Sequence, residues 1–91
     1  MNYYTYILKT SSNTLYVGQT SNLAKRIKEH REKKGKGAKY MRYFSSFELV
    51  YSEECSSRTE AMKRELEIKT WTKTKKEALI NNNLQVLKNS Q

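Results

Sequence analysis

In the run Thr14-Leu-Tyr-Val-Gly-Gln-Thr20 a β-favouring segment stops at a glycine. It gives way at once to Ser21-Asn-Leu-Ala-Lys-Arg-Ile-Lys-Glu-His30, a basic segment of helical composition. This strand–glycine–helix unit limits what the rest of the chain can build around it. Tyr16 and Val17 favour extended backbone, and Gly18 admits a backbone or a phosphate at close range. Thr20 or Ser21 is expected to cap the helix by accepting an early backbone N–H. On that helix Arg26 and His30 lie four apart and share a face. A strand thus delivers a tyrosine, and a helix delivers a guanidinium and an imidazole, to one end of the unit. That is a geometry for handling phosphate. On these residues alone, an ordinary strand–turn–helix with solvated charges is the competing reading.

Charge sharpens the choice. Eighteen lysines and arginines face nine acidic residues, for a net charge of +9 over 91 residues. Such a surface attracts polyanions, because contacts to phosphates release condensed counterions; anionic membrane surfaces are the blander partner. All nine acidic residues are glutamates, so the paired-aspartate site of two-metal nucleases is excluded and any metal must rest on glutamate. One cysteine, Cys55, and one histidine exclude an intramolecular disulfide and a Cys/His zinc site. The chain contains no apolar run of the roughly 20 residues that span a bilayer, and its N-terminus lacks a signal-peptide pattern. A soluble, cytoplasmic protein without membrane partners is expected. The length suits one domain, placed at 1–84, with 85–91 as a flexible C-terminal tail.

Residues 2–9 are aromatic and β-branched and read as a first strand, with Tyr4 and Tyr6 on one face. Thr10-Ser-Ser-Asn13 reads as a turn, so Leu15–Gly18 returns as the second strand of an antiparallel hairpin. The first helix covers 21–32, with Leu23 and Ile27 as its apolar stripe beside Ala24. A glycine-broken basic loop follows. Lys25, Arg26, Lys28, Arg31, Lys33, Lys34, Lys36, Lys39 and Arg42 are opposed only by Glu29 and Glu32, and they interleave with Tyr40, Tyr43 and Phe44. That block reads as a nucleic-acid surface. Phe47–Tyr51 alternates as a third strand. Ser57-Arg-Thr-Glu60 is a capping box opening a helix over about 58–71, with Ala61, Met62, Leu66 and Ile68 as its apolar members. Glu65 falls inside that apolar arc, where a carboxylate is costly unless paired, protonated or bound to a cation. Trp71 is expected to close the core near the helix end. A short basic helix then runs to Ile80, with Leu79 and Ile80 inward.

Taken in order, these residues resemble the GIY-YIG nuclease superfamily, above all small single-domain members related to the excision-repair nuclease module. The resemblance runs over roughly residues 3–84. Tyr4-Thr-Tyr6-Ile-Leu stands at the first motif and Tyr16-Val-Gly18 at the second. Gln19-Thr20, Leu23, Arg26 and His30 match the run after it, and Gly35-Lys-Gly-Ala-Lys-Tyr40 matches the basic loop. Arg64-Glu65, Ile68-Lys69, Trp71, Lys75-Lys76 and Leu79-Ile80 match the later helices. Each motif is weak alone; their order and spacing together are specific.

The resemblance implies an α+β fold, a three-stranded antiparallel sheet flanked by helices, that cuts phosphodiester bonds. It makes Glu65 the sole protein ligand of one divalent ion, Mg²⁺ or Mn²⁺, which would keep waters and take phosphate oxygens. Arg26 would neutralise the scissile phosphate. Tyr6 would act as general base toward water once Arg26 and the metal lower its pKa, with Tyr16 and His30 assisting. Lys25, Lys28, Lys33, Lys34, Lys36, Lys39, Tyr40 and Arg42 would hold the nucleic acid. Three features depart from the family pattern: Tyr4-Thr-Tyr6 replaces Gly-Ile-Tyr, Asn83 stands about one residue early, and the chain has no proline. The expected activity is a DNA endonuclease of low sequence specificity or structure selectivity in repair or processing, with RNA open as a substrate. Recognition would lie in this domain, a protein partner or a homo-oligomer. The alternative is a non-catalytic nucleic-acid-binding accessory module with the same fold and basic face.

Overall fold

The computed structural model describes residues 2–32 and 46–82. Strand β1 (Tyr3–Thr10) and strand β2 (Leu15–Thr20) form the expected hairpin, followed by helix α1 (Leu23–Arg31). Strand β3 (Phe47–Cys55) and helices α2 (Arg58–Lys69) and α3 (Lys73–Ile80) complete the described elements. The sheet is antiparallel with β1 in the middle, in the order β2-β1-β3.

Tyr6 faces Gly18 and Leu8 faces Tyr16 across the hairpin, so the even-numbered residues of β1 share one face of the sheet. Leu23 and Ile27 of α1 pack on that face against Tyr6 and Leu8, together with Tyr16 and Phe47. The odd-numbered face presents Ile7 and Val17, which pack with Ile68 of α2 and are surrounded by Trp71, Leu79 and Ile80. The chain is therefore layered as α1, sheet, then α2 with α3. Each large aliphatic side chain so buried contributes about 1.5–3 kcal/mol. Thr5, on the α2 side, donates its hydroxyl to the Ala61 carbonyl at 3.0 Å and ties β1 to α2.

Three local expectations change. Asn22, not Thr20 or Ser21, caps α1: its side chain accepts the Lys25 N–H at 3.1 Å. Thr20 instead holds the turn, accepting the Asn22 N–H at 3.1 Å. Strand β3 runs four residues beyond Tyr51, to Cys55. A bulge between Ile7 and Leu8 adds Val50 to β3, and Val50 and Tyr51 both reach the Ile7 cluster. On α2, Ala61 and Ile68 are buried, whereas Met62 and Leu66 are exposed at 43% and 62%. The inward-facing stripe is thus buried Ala61 and Ile68 with half-buried Arg64 and Glu65 between them, the i, i+3, i+4, i+7 pattern of one helix face. Ser57 caps α2 as the sequence predicts, accepting the Glu60 N–H at 3.2 Å, and Thr72 caps α3. Trp71 does close the core, with Arg64 and Lys75 on its ring at 5.1 and 4.3 Å.

Candidate active site

Four of the five expected catalytic side chains meet under α1. Strand β1 presents Tyr6, strand β2 presents Tyr16, and the last turn of α1 lowers His30 between them. The Tyr6 hydroxyl lies 2.9 Å from His30 Nε2, at full burial of both residues. The Tyr16 ring is 6.5 Å from that of Tyr6 and 5.4 Å from the imidazole, which it meets edge-on. Arg26, one turn before His30, brings its guanidinium near enough for its charge to act on the Tyr6 hydroxyl. Its own guanidinium is steadied by Glu29 at 3.1 Å.

Gly18 makes this packing possible. A Cβ there would stand 2.6 Å from the Tyr6 hydroxyl oxygen, so the space that glycine leaves is filled by the tyrosine rather than by a backbone or a phosphate.

Burial sets the electrostatics. It pushes the Tyr6 pKa well above its ordinary value, and the nearby Tyr16 adds to the rise; Arg26 pulls the other way and does not prevail. The expectation that Arg26 helps bring Tyr6 down to a working base therefore meets a larger opposing effect. Burial likewise lowers the His30 pKa, with Arg26 assisting, so the imidazole is neutral at neutral pH. The hydroxyl donates to Nε2 when the ring carries its proton on Nδ1. Nδ1 is itself buried and has no hydrogen-bond partner among the described residues. Tyr16 and Arg26 are only half-buried and reach solvent.

Glu65 comes from α2. Its carboxylate is one-fifth exposed, sits 3.4 Å from the Lys69 ammonium, and its charge bears on Tyr6. Among the described residues no three His, Cys, Asp or Glu side chains converge, which excludes a closed zinc-type cage there. A hard divalent cation that keeps most of its waters needs no more than one accessible carboxylate. The donor set fits Mg²⁺ or Mn²⁺.

Lys25 and Lys28 lie exposed on α1. Lys33, Lys34, Lys36, Lys39, Tyr40, Arg42 and Asn83 lie outside the described residues, as does the tail at 85–91. No helix among the described residues is long and apolar enough to cross a membrane. Tyr51 is structural: its hydroxyl donates to Glu53 at 2.6 Å, and burial with that carboxylate pushes its pKa up to about 12. Sequence reasoning passed over Arg58, the first residue of α2. A cation at the positive end of a well-capped helix was the available signal.

The GIY-YIG catalytic domain family matches residues 2–78. A UPF0213 protein of Bacillus pumilus is 44% identical over 79 residues, covering 87% of this chain and 79% of the relative. One from Staphylococcus haemolyticus is 46% identical over 78 residues, covering 86% and 93%. The solution structure of the UPF0213 protein of Bacillus halodurans, 42% identical, superposes with a TM-score of 0.57 over 89% of this chain and 84% of that one.

Proposed function

Since the chain belongs to the GIY-YIG catalytic-domain family, a family of nucleases, we propose that it is a divalent-metal-dependent endonuclease that hydrolyses DNA phosphodiester bonds. The observation that carries this reading is the convergence of Tyr6, Tyr16, Arg26 and His30, with the Glu65 charge acting on the same hydroxyl. Arg26 binds the non-bridging oxygens of the scissile phosphate and offsets the charge that grows on them in the transition state. Tyr16 reaches solvent and orients the attacking water. Tyr6 and His30, both fully buried, support Tyr16 and Arg26 from behind in this reading rather than touching that water. Glu65 would hold the divalent ion, which when bound would supply charge neutralisation at the phosphate and activation of water. Lys25 and Lys28 act as point charges for the sugar–phosphate backbone and do not read base edges. Low sequence specificity, or selectivity for DNA structure in repair or processing, follows from that.

The second reading, a binding module without cleavage, draws on the burial of Tyr6 and His30 and on the Glu65–Lys69 ion pair. Nicking of supercoiled plasmid, branched DNA and an RNA hairpin with Mg²⁺ or Mn²⁺ at low salt decides between them. Cleavage should need the ion and disappear in Arg26→Ala and Glu65→Ala, while Glu65→Ala still binds. Binding without cutting on every substrate would establish the module, and equal cutting by all three proteins would refute the site.

A further inference from the structure

A polar cavity opens where β1 begins and β2 ends. It holds about 220 Å³ and is lined by Tyr3, Gln19, Thr20, Ser21, Arg26 and Arg58. At about 30 Å³ per water, it accommodates a phosphate group with part of its hydration shell. Two guanidiniums share this space, and their environments differ. Arg26 is already engaged, with Glu29 at 3.1 Å and the Gln19 carbonyl at 3.4 Å. Arg58 and the Ser21 hydroxyl have no hydrogen-bond or ion-pair partner among the described residues.

Folding stability does not account for Arg58. It is the first residue of α2, where the helix dipole disfavours a cation by about 0.3–1 kcal/mol. The cap at that end is supplied by Ser57. A bound anion would offset both the dipole and the repulsion between two neighbouring guanidiniums. Arg26 is the shared wall: it belongs to this cavity and to the Tyr6–Tyr16–His30 cluster. Because Arg26 lines both, a strand whose scissile phosphate rests on Arg26 passes beside this cavity.

We propose that this cavity is a subsite for a second backbone phosphate of the bound strand, adjacent to the one held by Arg26, with Arg58 as its principal ligand and Ser21 as a hydroxyl donor. This rests on the nucleic-acid reading of the preceding section. Arg58 aligns the strand on the catalytic face; it does not touch the reacting atoms.

The test is binding, which requires no cleavage. Affinity of the full chain for a branched oligonucleotide duplex is measured across a salt series for wild type, Arg58→Gln, Arg58→Lys and Lys73→Gln. Lys73 is exposed at the start of α3, on the sheet face opposite α1. One lost phosphate contact lowers the slope of log K against log [salt] by about 0.7–0.9, and Arg58→Gln should show that loss. Arg58→Lys should recover most of the affinity, and Lys73→Gln should keep the wild-type slope. A single neutral methylphosphonate moved stepwise along the strand should, at one position, weaken wild type and leave Arg58→Gln unaffected. Equal slopes for wild type and Arg58→Gln, equal losses for Arg58→Gln and Lys73→Gln, or equal methylphosphonate effects in both proteins would overturn the subsite. If wild type cuts while Arg58→Gln keeps its slope, the subsite fails and the nuclease stands. If wild type never cuts but the slope falls, the subsite stands and the nuclease fails. Absence of any binding by wild type would overturn both.

Discussion

Replacing Gly18 by alanine sets a methyl group 2.6 Å from the Tyr6 hydroxyl oxygen, 2.7 Å from Cζ and 3.1 Å from Cε1. The ring cannot step aside at low cost, because Tyr6 is fully buried and its hydroxyl is engaged with His30 at 2.9 Å. Overpacking of this kind costs about 1–3 kcal/mol. Displacing the hydroxyl from His30 adds about 1 kcal/mol. Alanine returns about 0.5–1 kcal/mol, since glycine loses more backbone freedom on folding. The net expectation is a destabilisation of about 2 kcal/mol, which in a domain of this size lowers Tm by about 10 °C. Urea and thermal unfolding followed by far-ultraviolet circular dichroism measure it. Repeating the substitution in a Tyr6→Leu background removes the clashing ring, and there Gly18→Ala should be neutral or slightly stabilising. The coupling between the two sites should therefore approach the whole cost of the single change. A Gly18→Ala protein as stable as wild type, or one equally destabilised in the Tyr6→Leu background, would refute the account of why this position is glycine.

Burial of neutral His30 makes stability acid-sensitive. The unfolded state takes up the imidazole proton near pH 6.5, before the folded state does, so urea midpoints should fall as pH drops below about 6.5 and flatten in His30→Gln. At the alkaline end the raised pKa values of Tyr6 and Tyr51 act in the opposite sense. The unfolded tyrosines ionise first, stability should fall above about pH 10, and Tyr6→Phe should reduce that fall. Ser57→Ala removes the acceptor for the Glu60 N–H and should cost about 1 kcal/mol in thermal melts, whereas Ser57→Asp should cost little.

Much of the fold was legible in the chain because local and global signals agree. The alternation through Tyr4–Leu8, the capping residues and the basic helix each point to the element that forms. The second half of β3 was not legible. Ser52, Glu53 and Glu54 look like a polar loop, yet the pairing of Tyr6 with Ser52 and of Thr5 with Glu53 makes them an edge strand. Glu53 is held there by Tyr51, two residues before it on the strand, and by Arg64, which arrives on the next helix. Met62 and Leu66 look like core on hydrophobicity alone, while the face that meets the sheet carries Arg64 and Glu65. At the site, the order of the motifs brings Tyr6, Tyr16, Arg26 and His30 together. The depth of Tyr6 and His30 was out of reach, because it depends on how closely α1 settles on the sheet. Arg58 joins the picture only through a cavity that three separate segments enclose.

The central position of β1 also sets an order of events as the chain folds. Its pairing with β2 is local, closing through the short turn after Thr10, and a hairpin of this kind forms in about 1–10 μs. Tyr6, Tyr16, Arg26 and His30 all belong to this early segment and the helix that follows it. The other edge of β1 waits for β3, where Tyr3 meets Cys55, and closing that longer loop costs more chain entropy and time. Glu65 arrives later still, on the helix beyond β3. Four side chains are thus gathered by neighbouring sequence, while the carboxylate comes only with the completed domain. On the ribosome, the Tyr6–Tyr16–Arg26–His30 segment is synthesised before Glu65.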